Sequence, residues 1–247
     1  MLRRFVLTVA YDGSGYYGWQ KQADKTYPTG QETLENALSE FFGCHVGCIG
    51  ASRTDRGVHS MGQRALIEVD TTIPAEKLPL ALQKAMPEDI AIVGSEEVDE
   101  NFHPRYDCKY KIYEYKIYCG KYKNPVYRKY SEFCRFDLDV EKMNEAAQAF
   151  VGTHDFKAFA ASGNSSQTTV RTIFEASVFK KDDFIVIRLK GDGFLYNMVR
   201  IIAGTLILSG KGKLDKKNIE YIIESRDRAK AGKTADPEGL TLMKIVY

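Results

Sequence analysis

Short stretches in which apolar residues recur at every second position, separated by a few stretches of helical period, set what this chain can fold into. From Lys109 the alternation is plain: Tyr113, Tyr115 and Ile117 share one face, while Ile112, Glu114, Lys116 and Tyr118 share the other. Residues 3–10, 46–49, 64–69, 90–99, 170–179 and 184–190 also read as strands, and 241–247 as a final one. Helical spacing occupies 31–42, where Leu34, Ala37, Leu38 and Phe41 fall at i, i+3, i+4 and i+7, with Thr29 or Gly30 as cap and Gly43 as stop. Further helices are expected from Pro74, restarting at Pro79 and closed by Pro87; over 140–150, with Asp139 as N-cap; from Gly193 to Ser209; and from Asp215 to about Ser225. The first hundred residues thus run β, α, β, β, α, β, and the second half repeats that coarse logic without a residue-level repeat. The pattern predicts an α+β fold of two similar lobes, 1–104 and 105–247, each a mainly antiparallel sheet flanked by helices.

A chain of 247 residues, 44% hydrophobic, buries a sizeable core. No apolar run approaches the roughly 18 residues that a membrane helix needs, and MLRRFVLTVAYDG reaches Asp12 too soon for a secretory h-region, so a cytoplasmic protein is expected. Five scattered cysteines, at 44, 48, 108, 119 and 134, suit reduced thiols. Cys44, His45 and Cys48 have no second pair at ligand spacing, so no metal is expected. Charge is lopsided although the net is only +2: residues 1–104 carry 9 basic and 15 acidic side chains, the remainder 26 and 18. Between Arg105 and Tyr130 there are 8 basic residues, 2 acidic residues and eight tyrosines. That interleaving fits a single-stranded or loop RNA surface, and equally a solvated strand face with packed tyrosines.

Three local features stand out. Gly50 to His59, GASRTDRGVH, lies between two strands and holds Asp55 between Arg53 and Arg56. By itself it fits an ordinary charged turn, or a loop holding a nucleophile or general base. GSGYYG at 13–18 formally matches GxGxxG, but WQKQADKTYP after it lacks helical spacing, so a flexible loop is expected instead of a dinucleotide site. Arg200 falls one turn into the helix expected after Gly193, among Tyr196, Met198, Val199, Ile201 and Ile202, where a half-buried cation needs an anionic partner. The Ser-, Gly-, Asn- and Thr-rich stretch 160–169 reads as a mobile loop.

AYDGSGYYGWQKQ (10–22), GASRTDRGVHSMGQ (50–63), KIYEYKIY (111–118), VGTHDF (151–156), TVRTI (169–173), GFLYNMVRIIAG (193–204) and EGLTL (238–242) resemble, in order and over nearly the whole chain, the successive signatures of the tRNA pseudouridine synthase A (TruA) family. The resemblance implies an isomerase that turns uridine into pseudouridine at positions 38, 39 and 40 of the tRNA anticodon stem-loop. It further implies no cofactor, no metal, and a homodimer. Asp55 matches the catalytic aspartate, Tyr113 the tyrosine that packs on the target base, and Arg200 the basic residue that pairs with the aspartate. Leu195 matches the apolar residue lining the pocket, and Arg53 the arginine that helps displace the target nucleotide. The active-site cleft would then lie between the two lobes. Ser52 stands where glycine is usual in such proteins, and Arg56 where a small residue is common.

The chemistry suits these residue types. Breaking the N1–C1′ bond, turning the base and rejoining it through C5 requires an ionised carboxylate, which attacks C1′, attacks C6 or removes the 2′ proton. A neighbouring arginine lowers an aspartate pKa by ~1 to 3 units from ~3.9, so no activating histidine is needed. Uracil leaves as a delocalised anion, so one carboxylate suffices where a glycosidase needs two. The competing expectations are a related enzyme acting on another structured RNA, a non-catalytic RNA-binding module, and a nucleoside hydrolase or glycosidase that would release free uracil.

Overall fold

The computed structural model describes residues 2–24, 26–163 and 166–247. Part of the 160–169 stretch, residues 164 and 165, lies outside the described residues. The chain divides into two units, Met1–Lys109 with Leu242–Tyr247, and Tyr110–Thr241. Among the described residues no helix is long and apolar enough to cross a membrane. The sheet pairings are mostly antiparallel and the helices flank them, an α+β fold.

The first unit is built on β1 (Leu2–Tyr11), flanked by β3 (His59–Asp70) and β4 (Ile90–Glu97), both antiparallel to it. The short β2 (Cys48–Gly50) pairs with β3, and β10 (Leu240–Val246), most of which belongs to this unit, lies beside β3. Opposed apolar residues such as Phe5↔Ile67 and Leu7↔Ala65 set the β1–β3 register, because a one-residue slip would carry every one of them to the other face. Helix α1 (Gly30–Phe42) starts where Thr29 Oγ1 accepts the Glu32 N–H at 3.3 Å and stops where Gly43 turns left-handed at φ 66°. It sets Leu34 and Leu38 into a core with Phe5, Leu7, Trp19 and Ile67. Pro74 is followed by a single 3-10 turn and the short α2 (Leu78–Leu82), whose Leu78 and Leu82 close the same core.

The second unit carries β5 (Tyr110–Cys119), β9 (Phe184–Gly191), β8 (Val170–Lys181) and β7 (Gly152–Asp155) in that order, all antiparallel, with β6 (Glu132–Cys134) parallel to β5. The alternation on β5 is realised: Tyr113, Tyr115 and Ile117 are buried opposite Leu189, Ile187 and Ile185. Glu114, on the other face, is buried too, against Arg188. Helices α3 (Val140–Ala147), α4 (Met198–Gly210) and α5 (Lys216–Ser225) complete the unit. α4 is apolar nearly all round and its Ile201, Ile202, Ala203 and Leu206 are fully buried; each such isoleucine or leucine contributes ~1.5 to 3 kcal/mol over an exposed one. α4 begins at Met198 and not directly after Gly193, because Asn197 adopts a left-handed φ of 60° that a continuing helix cannot contain.

Candidate active site

Asp55 opens a turn. Its carbonyl accepts the Val58 N–H at 3.2 Å, with Gly57 third in the turn at φ 78°, the position where a type II turn calls for glycine. The turn is clamped by the GSGYYGW segment. Trp19 N–H donates to the Thr54 carbonyl at 3.1 Å, Gly57 N–H to the Tyr16 carbonyl at 3.2 Å, and Gly13 N–H to His59 Nδ1 at 3.0 Å. A Cβ at Gly13 would lie 2.0 Å from the Val58 carbonyl oxygen, and one at Gly18 2.7 Å from that of Thr54. The two glycines therefore let two backbones touch. The segment expected as a flexible loop is instead a brace, with a 3-10 turn at Gly13–Gly15. The physical reason is contact: its main-chain groups are spent on the Asp55 turn, a use that local composition does not reveal.

Side chains finish the mount. The buried Gln63 accepts the Ser52 N–H at 3.1 Å and donates to the Ser52 carbonyl at 2.5 Å, and Tyr11 and Thr54 share a hydrogen bond of 2.7 Å between their hydroxyls. Ser52, like Thr54, is buried, so the residue that departs from the usual glycine is packed inside the loop. Asp55 is half-buried, while Arg53 and Arg56 are exposed on either side of it. The Arg56 guanidinium stands 4.8 Å over the Tyr17 ring, which stacks on Tyr27 at 5.0 Å and 14°. This cation–aromatic stack beside Asp55 has no signature in the sequence, because its members are separated by loops.

The second unit holds the other candidates. Tyr113 is buried on β5, its ring meeting Phe194 edge-on at 5.0 Å. Leu195 is buried at the next position, and its carbonyl accepts the Met198 N–H at 3.0 Å as α4 begins. Arg200 lies in the first turn of α4, half-buried. Its Nε donates to the Ala235 carbonyl at 2.8 Å and its Nη1 to Asn197 Oδ1 at 2.8 Å, while Ala235 N–H returns a bond to the Arg200 carbonyl at 3.1 Å. Tyr113, Leu195 and Arg200 are thus gathered around the start of α4. Asp55 and Arg53 are carried by the first unit.

Sequence reasoning missed the strap at 232–236. Gly232 N–H donates to Thr205 Oγ1 at 2.9 Å, and a Cβ on Gly204 would fall 1.9 Å from the Lys233 carbonyl oxygen, so the strap lies directly against α4. At its far end the buried Glu132 accepts from Lys233 Nζ at 2.9 Å and from Asp236 N–H at 3.3 Å. The Tyr115 hydroxyl sits 2.5 Å from Glu132 Oε2 and 2.7 Å from the Asp236 carbonyl. Burial, together with that carboxylate, pushes the Tyr115 phenol far above its ordinary value, so it stays a donor.

Comparison with known proteins follows the same residues. The family model described as tRNA pseudouridine synthase matches residues 7–107 and 146–247. A protein called tRNA pseudouridine synthase A from Ruminiclostridium cellulolyticum is 48% identical over 247 residues, and one of the same name from Thermoanaerobacter sp. (strain X514) is 46% identical over 246, each alignment covering 100% of both chains. A Clostridium tetani protein called tRNA pseudouridine synthase A 2 is 46% identical over 247 residues, again covering 100% of both.

Proposed function

This chain belongs to the tRNA pseudouridine synthase family, and we propose that it isomerises uridine to pseudouridine through Asp55, with Arg200 as the cation that pairs with it and positions 38, 39 and 40 of the anticodon stem-loop as targets. The observation that supports Asp55 most is its mounting. A half-buried carboxylate opens a turn whose backbone is tied to a glycine-rich brace by two bonds, with a third from Gly13 N–H to the His59 ring just beyond it, which keeps a reacting group in place without rearrangement. Mapping pseudouridines in tRNA treated with the purified protein tests the target assignment: modification confined to 38–40 supports it, and modification elsewhere refutes it.

The remaining residues divide the work. A uridine stacked in the anticodon arm is out of reach, so it is flipped at a cost of a few kcal/mol; Arg53 helps displace it, and stacking on Tyr113 returns ~1 to 3 kcal/mol. Leu195 and the Tyr113 ring keep water from the cleaved base, so that it recombines through C5 instead of escaping. Two copies of the chain act together as a homodimer in the cytoplasm. If the Tyr113 hydroxyl moves a proton, Tyr113→Phe will bind tRNA normally and turn over poorly; a near-normal single-turnover rate would limit this residue to stacking.

Affinity for the rest of the tRNA is assigned to the basic, tyrosine-bearing segment. Lys121, Lys123, Arg128 and Lys129 are exposed together with Tyr122, Val126 and Tyr130. The segment is ordered by Tyr127, whose hydroxyl donates to Asp183 at 2.9 Å and whose ring packs on Phe184 at 4.8 Å. Replacing Lys121 and Lys123 together by alanine will flatten the slope of log affinity against log salt by roughly 0.7 to 0.9 for each phosphate that is no longer neutralised. The rate at saturating tRNA stays unchanged, and an unaltered salt slope would remove the segment from the RNA surface.

A further inference from the structure

Glu132 is a buried carboxylate outside the matched signatures, and its hydrogen-bonding capacity is directed at one target. Its two oxygens take Lys233 Nζ, Asp236 N–H and the Tyr115 hydroxyl, and the first two of these partners flank Thr234 and Ala235. Ala235 is the residue that accepts from Arg200 Nε and donates back to the Arg200 carbonyl. The other end of the strap is fixed by Gly232 on Thr205, one turn along α4 from Arg200. Its exit is fixed at Gly239, where an added Cβ would lie 2.5 Å from the Tyr115 ring. A buried carboxylate costs several kcal/mol of desolvation unless its partners satisfy it, and a merely space-filling residue there would be apolar. The guanidinium is a planar fork, so fixing Nε on one side and Nη1 on Asn197 on the other sets the direction of its remaining donors.

We propose that Glu132, with Tyr115, is a positioning residue for the reaction: it holds the 233–236 strap so that the Ala235 carbonyl aims the Arg200 guanidinium. The proposal rests on the assignment of Arg200 to catalysis. Glu132→Ala leaves the Asp236 N–H without its acceptor and the Tyr115 hydroxyl with the Asp236 carbonyl alone, lets the strap shift, and moves Arg200 by a fraction of an ångström to an ångström. A misplacement of that size costs on the order of 10²-fold in rate without touching substrate. Glu132→Gln keeps an acceptor oxygen for Asp236 and Tyr115, giving up the charge and the acceptor toward Lys233, whose side chain is largely exposed and free to turn to solvent.

The test measures single-turnover rates and tRNA dissociation constants for Glu132→Ala, Glu132→Gln and Arg200→Lys, and for Glu132→Ala combined with Arg200→Lys, all checked by thermal melting. The expected result is a loss of about 10- to 100-fold in rate for Glu132→Ala with tRNA affinity within about threefold, most of it restored in Glu132→Gln. In the Arg200→Lys background the same alanine should cost less than about threefold, since groups acting through one another do not add. A wild-type rate in folded Glu132→Ala overturns the proposal, and so does the full loss repeated in the Arg200→Lys background. Should Glu132→Ala fail to fold, Tyr115→Phe, which removes one hydroxyl from the same contact, takes its place under the same criteria. A fully active Arg200→Lys would instead sink the catalytic assignment of Arg200; impaired Arg200→Lys beside unimpaired Glu132→Ala would sink only the role given to Glu132.

Discussion

Asp55→Asn is expected to abolish pseudouridine formation, with a loss of at least ~10⁴-fold in single-turnover rate, equivalent to ~5.5 kcal/mol of transition-state stabilisation. The amide is nearly isosteric with the carboxylate, and the turn that carries it is fixed by main-chain bonds from Trp19, Gly57 and Gly13, none of which uses the Asp55 side chain. The loop should therefore survive the substitution while the charge is lost. Whether the carboxylate attacks C1′, attacks C6 or removes the 2′ proton, each route needs an ionised oxygen that asparagine cannot supply. Affinity for tRNA should stay within a few-fold, because phosphate contacts dominate it. Filter binding alongside the rate measurement separates the two, and a purified Asp55→Asn protein that still turns over would remove Asp55 from the mechanism.

Arg200→Ala is expected to cost activity and stability together. The guanidinium is the donor to the Ala235 carbonyl and to Asn197 Oδ1, so truncation leaves two acceptors at the start of α4 to find other partners. That costs ~1 to 3 kcal/mol for each group left buried and unsatisfied. On the proposal that Arg200 is the cation that pairs with Asp55, the rate should also fall by ~10² to 10³-fold even in molecules that remain folded. Denaturant midpoints and single-turnover rates measured on one preparation check both parts. An Arg200→Ala protein with wild-type rate and midpoint would leave the residue with no role.

The elements that carry the candidate site were legible where they depend on local chemistry. Thr29 and Gly43 delimit α1 as cap and stop, and the two-residue period placed Tyr113 on a buried strand face. Contacts made at a distance were not legible. The brace at 13–19 looks flexible in sequence because its glycines serve a neighbouring backbone and not a local turn. β3 begins at His59 instead of 64, through Ser60, Gly62 and Gln63, residues with little strand preference; Gly62 sits there because a Cβ would lie 2.6 Å from the Met243 carbonyl oxygen. α4 starts four residues after Phe194 because one asparagine turns left-handed. The Arg56–Tyr17–Tyr27 stack and the Glu132 strap join residues from distant segments, and no periodicity encodes such meetings.

The most direct test of the central claim uses tRNA carrying tritium at C5 of uridine. Rejoining the base through C5 must expel that hydrogen, so the purified protein should release tritium to water in step with pseudouridine formed, with no free uracil, while Asp55→Asn releases none. Tritium retained in the RNA in the presence of tRNA binding, or free uracil as product, would contradict the account.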